Sequence, residues 1–330
     1  MVDVIDSFEK RLKNIQPNSC CMHSRKIIVI GSSNMDMVVK TSHIPVPGET
    51  VLSGSFFMNP GGKGANQAVA AARLGAEVIF VSKLGNDVFG KQFSQLFGDE
   101  GIDTSYLVSD ETLPSGVALI TVDHQGENSI VVASGANAGL SVKDLEAALP
   151  VIADAGIVLL QLEIPMDVVN FVTAYAEEKN VKVILNPAPA APLSATLLRQ
   201  VDILTPNKTE ASMIAGIPVN NIEDAKRAAI LICAKGVKSV IVTMGSYGAI
   251  ICEGDACEVV EARKVEPMDT TAAGDVFNGA LSVALSEGKT LVDSVRFACD
   301  AASISVTRMG AQSSIPYRNE LIANTLGGID

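Results

Sequence analysis

Residues 156–189 read GIVLLQLEIPMDVVNFVTAYAEEKNVKVILNPAP, and their rhythm decides the fold. GIVLLQLE is a continuously apolar strand, MDVVNFVTAYAEEKN carries apolar residues at helical spacing, and VKVILNPAP is again a strand. Strand, long helix and strand make a parallel crossover. A strand that is apolar at every position, not at alternate ones, is covered on both faces. The same alternation runs outward from this stretch. Upstream, Ile27 to Ile30 is a buried strand ending at Gly31. Asn66 to Leu74 is a small-residue helix closed by Gly75, EVIFVSKLG is a strand, and SVKDLEAALPVIADA is a helix capped by Ser141. Downstream come VDILTPN, the helices NKTEASMIAG and EDAKRAAILICAKG, the strand KSVIVTMG, and a mostly helical stretch from Asp275 to Met309. The expectation is an α/β fold with a doubly wound, mostly parallel sheet and helices on both faces.

Two stretches break this rhythm. Met37 to Phe57 and Gly116 to Ala133 alternate, as antiparallel strands with one solvated face do, and Gln125-Gly126 marks a hairpin turn. They are placed together as a small sheet, about 35–58 and 116–134, that leaves the main body and covers a site. Residues 1–24 read as an extension outside the fold, and 25–330 as one domain.

The 330 residues are 48% hydrophobic but only 4% aromatic, with no Trp, so the core must be aliphatic. A net charge of −12 argues against nucleic-acid and anionic-membrane partners. No apolar run reaches the roughly 18 residues a membrane helix needs. Cys20, Cys21, Cys233, Cys252, Cys257 and Cys299 include no CxxC pair and read as free thiols in a reducing cytosol. Asp3, Asp6 and Glu9 speak against a secretory or transit segment, and the expected location is cytoplasmic.

Residues 269–275, DTTAAGD, place five small residues between two carboxylates just ahead of an apolar helix. A glycine-containing loop entering a helix leaves backbone N–H groups without partners, and these form an anion site. Ala272, Ala273 and Gly274 let a phosphate approach that backbone. Asp275 is then either an ordinary helix cap or a general base that takes a proton from an attacking hydroxyl. A second glycine cluster, PGGKGAN from Pro60 to Asn66, also opens a helix. It is neither a Walker A loop nor a GxGxxG fingerprint. NKTE, Asn207 to Glu210, follows a strand and taken alone is a helix cap. TMGSYGA, Thr243 to Ala249, lies at the C-terminal end of a strand, where open α/β sheets bind ligands.

GGKGANQAVAAARLG and DTTAAGDVFNGAL resemble the N- and C-terminal signatures of the ribokinase-like family of carbohydrate kinases, and the likeness runs from Lys26 to about Tyr317. The resemblance implies transfer of the γ-phosphoryl group of ATP to the 5-hydroxyl of D-ribose. It places Asn34, Asp36, Gly62, Lys63, Gly64, Ala65, Asn66 and Glu163 on the sugar. Asn207 and Glu210 organise phosphate and Mg²⁺-bound water. Thr243, Gly245, Ser246, Tyr247 and Gly248 form the nucleotide loop, with Cys299 near the base. Ala272, Ala273 and Gly274 form the anion hole, and Asp275 is the catalytic base. An activating K⁺ is implied between Asp269 and Thr271 on one side and Ser305, Arg308, Gly310 and Ser314 on the other. The carbonyls at that helix end are expected to lack helical partners. The small sheet is expected to close over the sugar, and its outer face, with Val38, Phe56 and Phe57, to pair two copies. A deoxyribose, fructose or nucleoside kinase, or a silent sugar- or nucleotide-binding regulator, remain the alternatives.

Overall fold

The computed structural model describes residues 26–52 and 54–321, so the extension with Cys20 and Cys21 lies outside the described residues. The strands in chain order are β1 (Ile27–Ile30), β2 (Asn34–Lys40), β3 (Ser55–Gly61), β4 (Val78–Gly85), β5 (Leu107–Asp110), β6 (Gly116–Val122), β7 (Asn128–Ala133), β8 (Ile157–Leu160), β9 (Lys182–Leu185), β10 (Ile203–Leu204), β11 (Ser239–Thr243), β12 (Ala249–Glu253) and β13 (Ala256–Val260). The helices are α1 (Lys63–Arg73), α2 (Val88–Asp99), α3 (Leu149–Ala153), α4 (Met166–Glu178), α5 (Ala195–Gln200), α6 (Lys208–Ala215), α7 (Ile222–Cys233), α8 (Ala273–Ser286) and α9 (Leu291–Ser305).

The large sheet has nine strands in the order β13-β12-β11-β10-β9-β8-β1-β4-β5. Every neighbouring pair from β11 to β5 is parallel. The period of two divides the apolar strands between two cores. Ile28, Ile30, Val158 and Leu160 face one helical layer, while Ile27, Val29, Phe80 and Leu159 face the other. The chain leaves β1 towards β4 on one side and later returns at β8 on the other. That reversal opens a crevice beyond the strands' C-terminal ends.

The second sheet has the order β3-β2-β6-β7. Its outer pairs are antiparallel, but the central pair β2–β6 is parallel, which corrects the all-antiparallel expectation. Each of these two strands follows in the chain on a strand of the parallel main sheet, β1 and β5, and the two run in the same sense.

Two other expectations need correction. Ser141 does begin a capped segment, with Asp144 completing its capping box, but Val142–Ala148 is 3₁₀ and the α-helix starts only at Leu149. Pro150 supplies the reason: lacking an N–H and clashing with the preceding turn, it fits only the first turn of an α-helix. The antiparallel β12–β13 hairpin turns at Gly254, whose φ is 59°. It sets Cys252 directly opposite Cys257 in a disulfide, whereas Cys233 and Cys299 are free. The free-thiol reading holds for Cys233 and Cys299 and fails for Cys252 and Cys257, because the cross-strand register that pairs them is not visible in their spacing.

Candidate active site

The base candidate sits where α8 begins. Ala272 has φ 60° and ψ 7°, a left-handed conformation that costs a non-glycine residue roughly 1–2 kcal/mol and that concentrates at functional sites. From there α8 turns inward, and Asp275 through Ala284 is buried without a break. Ala273 N–H donates to the Thr270 carbonyl at 3.3 Å, and Val276 N–H returns to Ala272. The N–H groups of Gly274 and Asp275 have no backbone partner among the described residues. A Cβ added at Gly274 would meet nothing within 4 Å, so the approach to these donors is open.

The Asp275 carboxylate faces α1. Asn66 Nδ2 donates to Asp275 Oδ2 at 3.0 Å, and Gln67 Nε2 donates to Oδ1 at 3.0 Å. Burial raises the Asp275 pKa, opposed by the Lys63 charge and these two donors. The Lys63 pKa also rises, which in its case favours the charged form. Burial works against its charge, but the fields of Asp275, Glu163, Glu210 and Asp36 outweigh this and raise its pKa. One ammonium among four carboxylates draws these predicted residues into a single electrostatic unit.

The glycines of PGGKGAN serve packing before they serve any anion. A Cβ at Gly64 would stand 2.5 Å from Ser32 N, and one at Gly62, where φ is 90°, 2.7 Å from Asn34 N. Without side chains, the start of α1 lies directly on the backbone leaving β1. Glu163 locks this junction: its Oε2 accepts from Ser32 Oγ at 2.5 Å and from Lys63 N–H at 3.0 Å. Asn34 Oδ1 accepts from Asn137 Nδ2 at 2.8 Å, so its amide donor, not its oxygen, is the free end. Among the described residues Asn66 Oδ1 is buried with no partner. Asp36 lies on β2 beside Gly61. Burial, with help from Glu163 and Asp275 and against Lys63, raises its pKa to about 7.

Above this floor lies a cleft of about 840 Å³, lined by Asp36, Val38, Phe57, Ile120 and Ile130 from the small sheet and by Asp269, Thr271 and Gly310 from the main body. Val38 and Phe57 therefore face the cleft, correcting their assignment to the outer surface. The outer face carries Phe56, Val39, Met58, Leu119 and Val131, all exposed. Register explains the exchange: Val38 pairs with Phe57 and Val39 with Phe56, so the two pairs point to opposite faces.

Asn207 caps α6 in a full capping box. Glu210 N–H donates to Asn207 Oδ1 at 2.9 Å, while Asn207 N–H and Nδ2 each donate to Glu210 at 2.8 Å. Burial raises the Glu210 pKa. Thr243 N–H donates to Pro206 O at 2.9 Å, which joins this cap to the loop after β11. There Gly245 and Gly248 adopt φ 60° and 89° around an exposed turn, Gly245–Tyr247. Cys299 lies buried on α9, and burial pushes its thiol up to about 12.

Asp269 Oδ1 accepts from Thr271 N–H and Oγ1 at 2.9 and 2.6 Å, and Oδ2 accepts from Gly310 N–H at 2.8 Å. The structure thus brings Asp269, Thr271 and Gly310 together, with Asp269 as a turn cap. Contrary to the expectation from sequence, the helix-end carbonyls are not bare: Ser305 O accepts from Arg308 N–H, and Val306 O from the N–H groups of Met268 and Asp269. The turn continuing past α9 supplies one donor and the 268–269 segment the others. The hydroxyls of Ser305 and Ser314 donate to Ala302 O and Ala311 O, and Arg308 pairs with Glu320.

Gln67, Gln161, Asn186, Thr205 and Asn278 are buried polar residues that the sequence reading passed over. A signal was present for three of them: Gln161, Asn186 and Thr205 each follow immediately on an apolar strand that ends at the crevice.

A family model described as pfkB family carbohydrate kinase matches residues 24–318. A ribokinase of Haemophilus influenzae is 43% identical over 298 residues, covering 90% of this chain and 97% of its own. A deoxyribokinase of Salmonella typhi is 35% identical over 291 residues, covering 88% and 95%. A solved ribokinase of Arabidopsis thaliana, complexed with ribose and ATP, is 35% identical and superposes with a TM-score of 0.84 over 90% of this chain and 97% of its own. Signatures, fold and crevice agree with these likenesses, and the chain belongs to the pfkB family of carbohydrate kinases.

Proposed function

We propose that this chain transfers the γ-phosphoryl group of ATP to the 5-hydroxyl of D-ribose, giving ADP and D-ribose 5-phosphate. The observation that carries the chemistry is the buried Asp275 carboxylate, held by Asn66 and Gln67 beside the unpaired N–H groups of Gly274 and Asp275. Asp275 takes the hydroxyl proton as the sugar oxygen bonds to the γ-phosphorus. The bond from that phosphorus to the bridging oxygen breaks, and ADP leaves with the electron pair. Negative charge on the transferring oxygens meets the N–H groups of the anion hole and Lys63. Asp36 and the unpartnered Asn66 Oδ1 accept from sugar hydroxyls, which supports a polyol acceptor. The small sheet, about 35–58 and 116–134 within a kinase unit of 25–330, closes over the sugar and excludes water.

Mg²⁺, when bound with ATP, would supply neutralisation of phosphate charge. Among the described residues no group of three or more metal-ligating side chains is assembled, and both Glu210 oxygens already accept hydrogen bonds. Those residues fit an ion held chiefly by phosphate and water, with Asn207 and Glu210 orienting that water. An activating K⁺ is proposed beside the Asp269–Gly310 junction, a homodimer through the exposed outer face of the small sheet, and a cytoplasmic setting. Among the described residues no helix is long and apolar enough to cross a membrane.

The decisive experiment measures ATP consumption with ribose, deoxyribose, fructose and adenosine side by side. Ribose is expected to give the highest kcat/KM. A higher value for deoxyribose would favour the activity named for the Salmonella relative, and no turnover with any of them would leave a binding protein.

A further inference from the structure

A buried polar chain begins at the Asp275 carboxylate and returns to the peptide beside it. Gln67 Nε2 donates both to Asp275 Oδ1 at 3.0 Å and to Asn186 Oδ1 at 3.1 Å. Asn186 Nδ2 donates to the Thr205 carbonyl at 3.2 Å, and Thr205 Oγ1 donates to Asn278 Oδ1 at 2.7 Å. Asn278 Nδ2 then donates to the Gly274 carbonyl at 2.8 Å. Gln67, Asn186, Thr205 and Asn278 are at most 6% exposed. Behind them, Gln161 Nε2 donates to Gln67 Oε1 at 2.6 Å.

The two ends of this chain act on one functional unit. The Gly274 carbonyl and the Asp275 N–H belong to the same planar peptide, so fixing the oxygen fixes the direction of the N–H. That N–H is one of the two unpaired donors of the anion hole. At the other end, Gln67 fixes the carboxylate of the same residue. We propose that Gln67, Asn186, Thr205 and Asn278 form a positioning relay that locks the base and its neighbouring anion-hole donor in one relative geometry. Asn186, Thr205 and Asn278 touch none of the reacting atoms in this arrangement, and Gln67 meets them only through its hydrogen bond to the Asp275 carboxylate. Their effect passes through Asp275 and the Gly274–Asp275 peptide. Amide and hydroxyl groups suit the task because each donates and accepts in a dry environment, and satisfied buried networks specify a single arrangement.

The inference rests on the reading of Asp275 as the base, and its test separates the two. Thr205 is the informative position. Thr205→Val keeps the side-chain shape and removes the donor to Asn278, whereas Thr205→Ser keeps the hydroxyl. With whichever sugar the unmodified enzyme uses best, Thr205→Val is expected to lower kcat at least ~10-fold with KM for sugar and ATP within about threefold, and Thr205→Ser to restore most of the rate. Gln67→Met and Asn278→Ala are expected to show the same split, and the double variant to cost clearly less than the product of the two single effects. Thermal unfolding of each variant checks that the fold persists. Should Gln67→Met not fold, the Thr205 pair alone decides. A kcat within about threefold of wild type in Thr205→Val, KM rising in step with the loss, or no rescue by serine would overturn the relay. Asp275→Asn serves as the reference. If it stays active, the base assignment fails; if it is inactive while Thr205→Val is unimpaired, only the relay fails.

Discussion

Gly279 of α8 lies against Ala70 of α1, so closely that a Cβ added at Gly279 would stand 2.6 Å from the alanine methyl and 2.9 Å from Gln67 O. This contact sets the distance between the helix that carries Asp275, the proposed base, and the helix that carries its two donors. Gly279→Ala is expected to push them apart. Overpacking of this kind costs about 1–3 kcal/mol of stability. The loss of kcat should exceed what the unfolded fraction explains, because Asn66 and Gln67 would be drawn from Asp275. Urea denaturation and kcat measured on the same sample check both parts. Full activity in a destabilised variant would make the contact a packing feature only.

Asp275→Asn is expected to lower kcat by about 10²–10⁴, the usual range for loss of a general base, while sugar and nucleotide still bind. Calorimetric titration with each substrate separates binding from turnover. Activity within about tenfold of wild type would remove the base role.

How much of this geometry can be read without coordinates depends on the range of the interaction. The strand–helix rhythm from Gly156 to Pro189 and the cap at Asn207 are local, and they are legible, whereas α1 begins at Lys63, three residues before the Asn66 start that the sequence suggests. Asp275 is legible because small residues before a helix have a chemical meaning of their own. The Gly279–Ala70 contact, the Cys252–Cys257 pair and the two faces of β2 are not. Each depends on register or on the approach of elements far apart in the chain, and Gly279 within a helix reads simply as a weak helix former. PGGKGAN reads as a glycine cluster opening a helix, but the tight fit of its glycines against Ser32 and Asn34 exists only once α1 packs onto the chain leaving β1.

Asp36 gives the site a pH dependence. Its pKa is raised to about 7, mainly by burial, so below that pH it is protonated and, in its proposed role, would offer the sugar a weaker acceptor. The KM for sugar is therefore expected to fall as pH rises through about 7, and Asp36→Asn to abolish that limb. Stability runs the opposite way. A carboxyl raised from 3.8 in the unfolded chain favours folding most below that value, and the benefit is lost as pH rises through the folded pKa. Asp36→Asn should therefore unfold at a higher temperature than wild type at pH 8 while binding sugar less well. A flat KM between pH 6 and pH 8, values bracketing the pKa of about 7, would refute the ionisation argument.

The Asp269 junction predicts a salt effect. Asp269 already ties Thr271 to Gly310, and the Val306 carbonyl already accepts two N–H groups. A monovalent ion there would act on a loop that is partly ordered without it. Activation by K⁺ over Na⁺ is expected to be about tenfold or less, read as kcat in matched KCl and NaCl at constant ionic strength and saturating Mg-ATP. Equal rates would leave Asp269 as a turn cap alone.

The unbroken burial of Asp275 to Ala284 bears on how such an enzyme could be retuned. The proposed base is mounted on an element with almost no room to vary, while Val38, Phe57, Ile120 and Ile130, which line the cleft, belong to a sheet of four strands outside the main core. A library of substitutions confined to those four positions explores cleft shape without touching the machinery of transfer. Variants accepting bulkier or less hydroxylated alcohols should therefore arise there, with folding yields close to the parent, well before any appear from changes along α8.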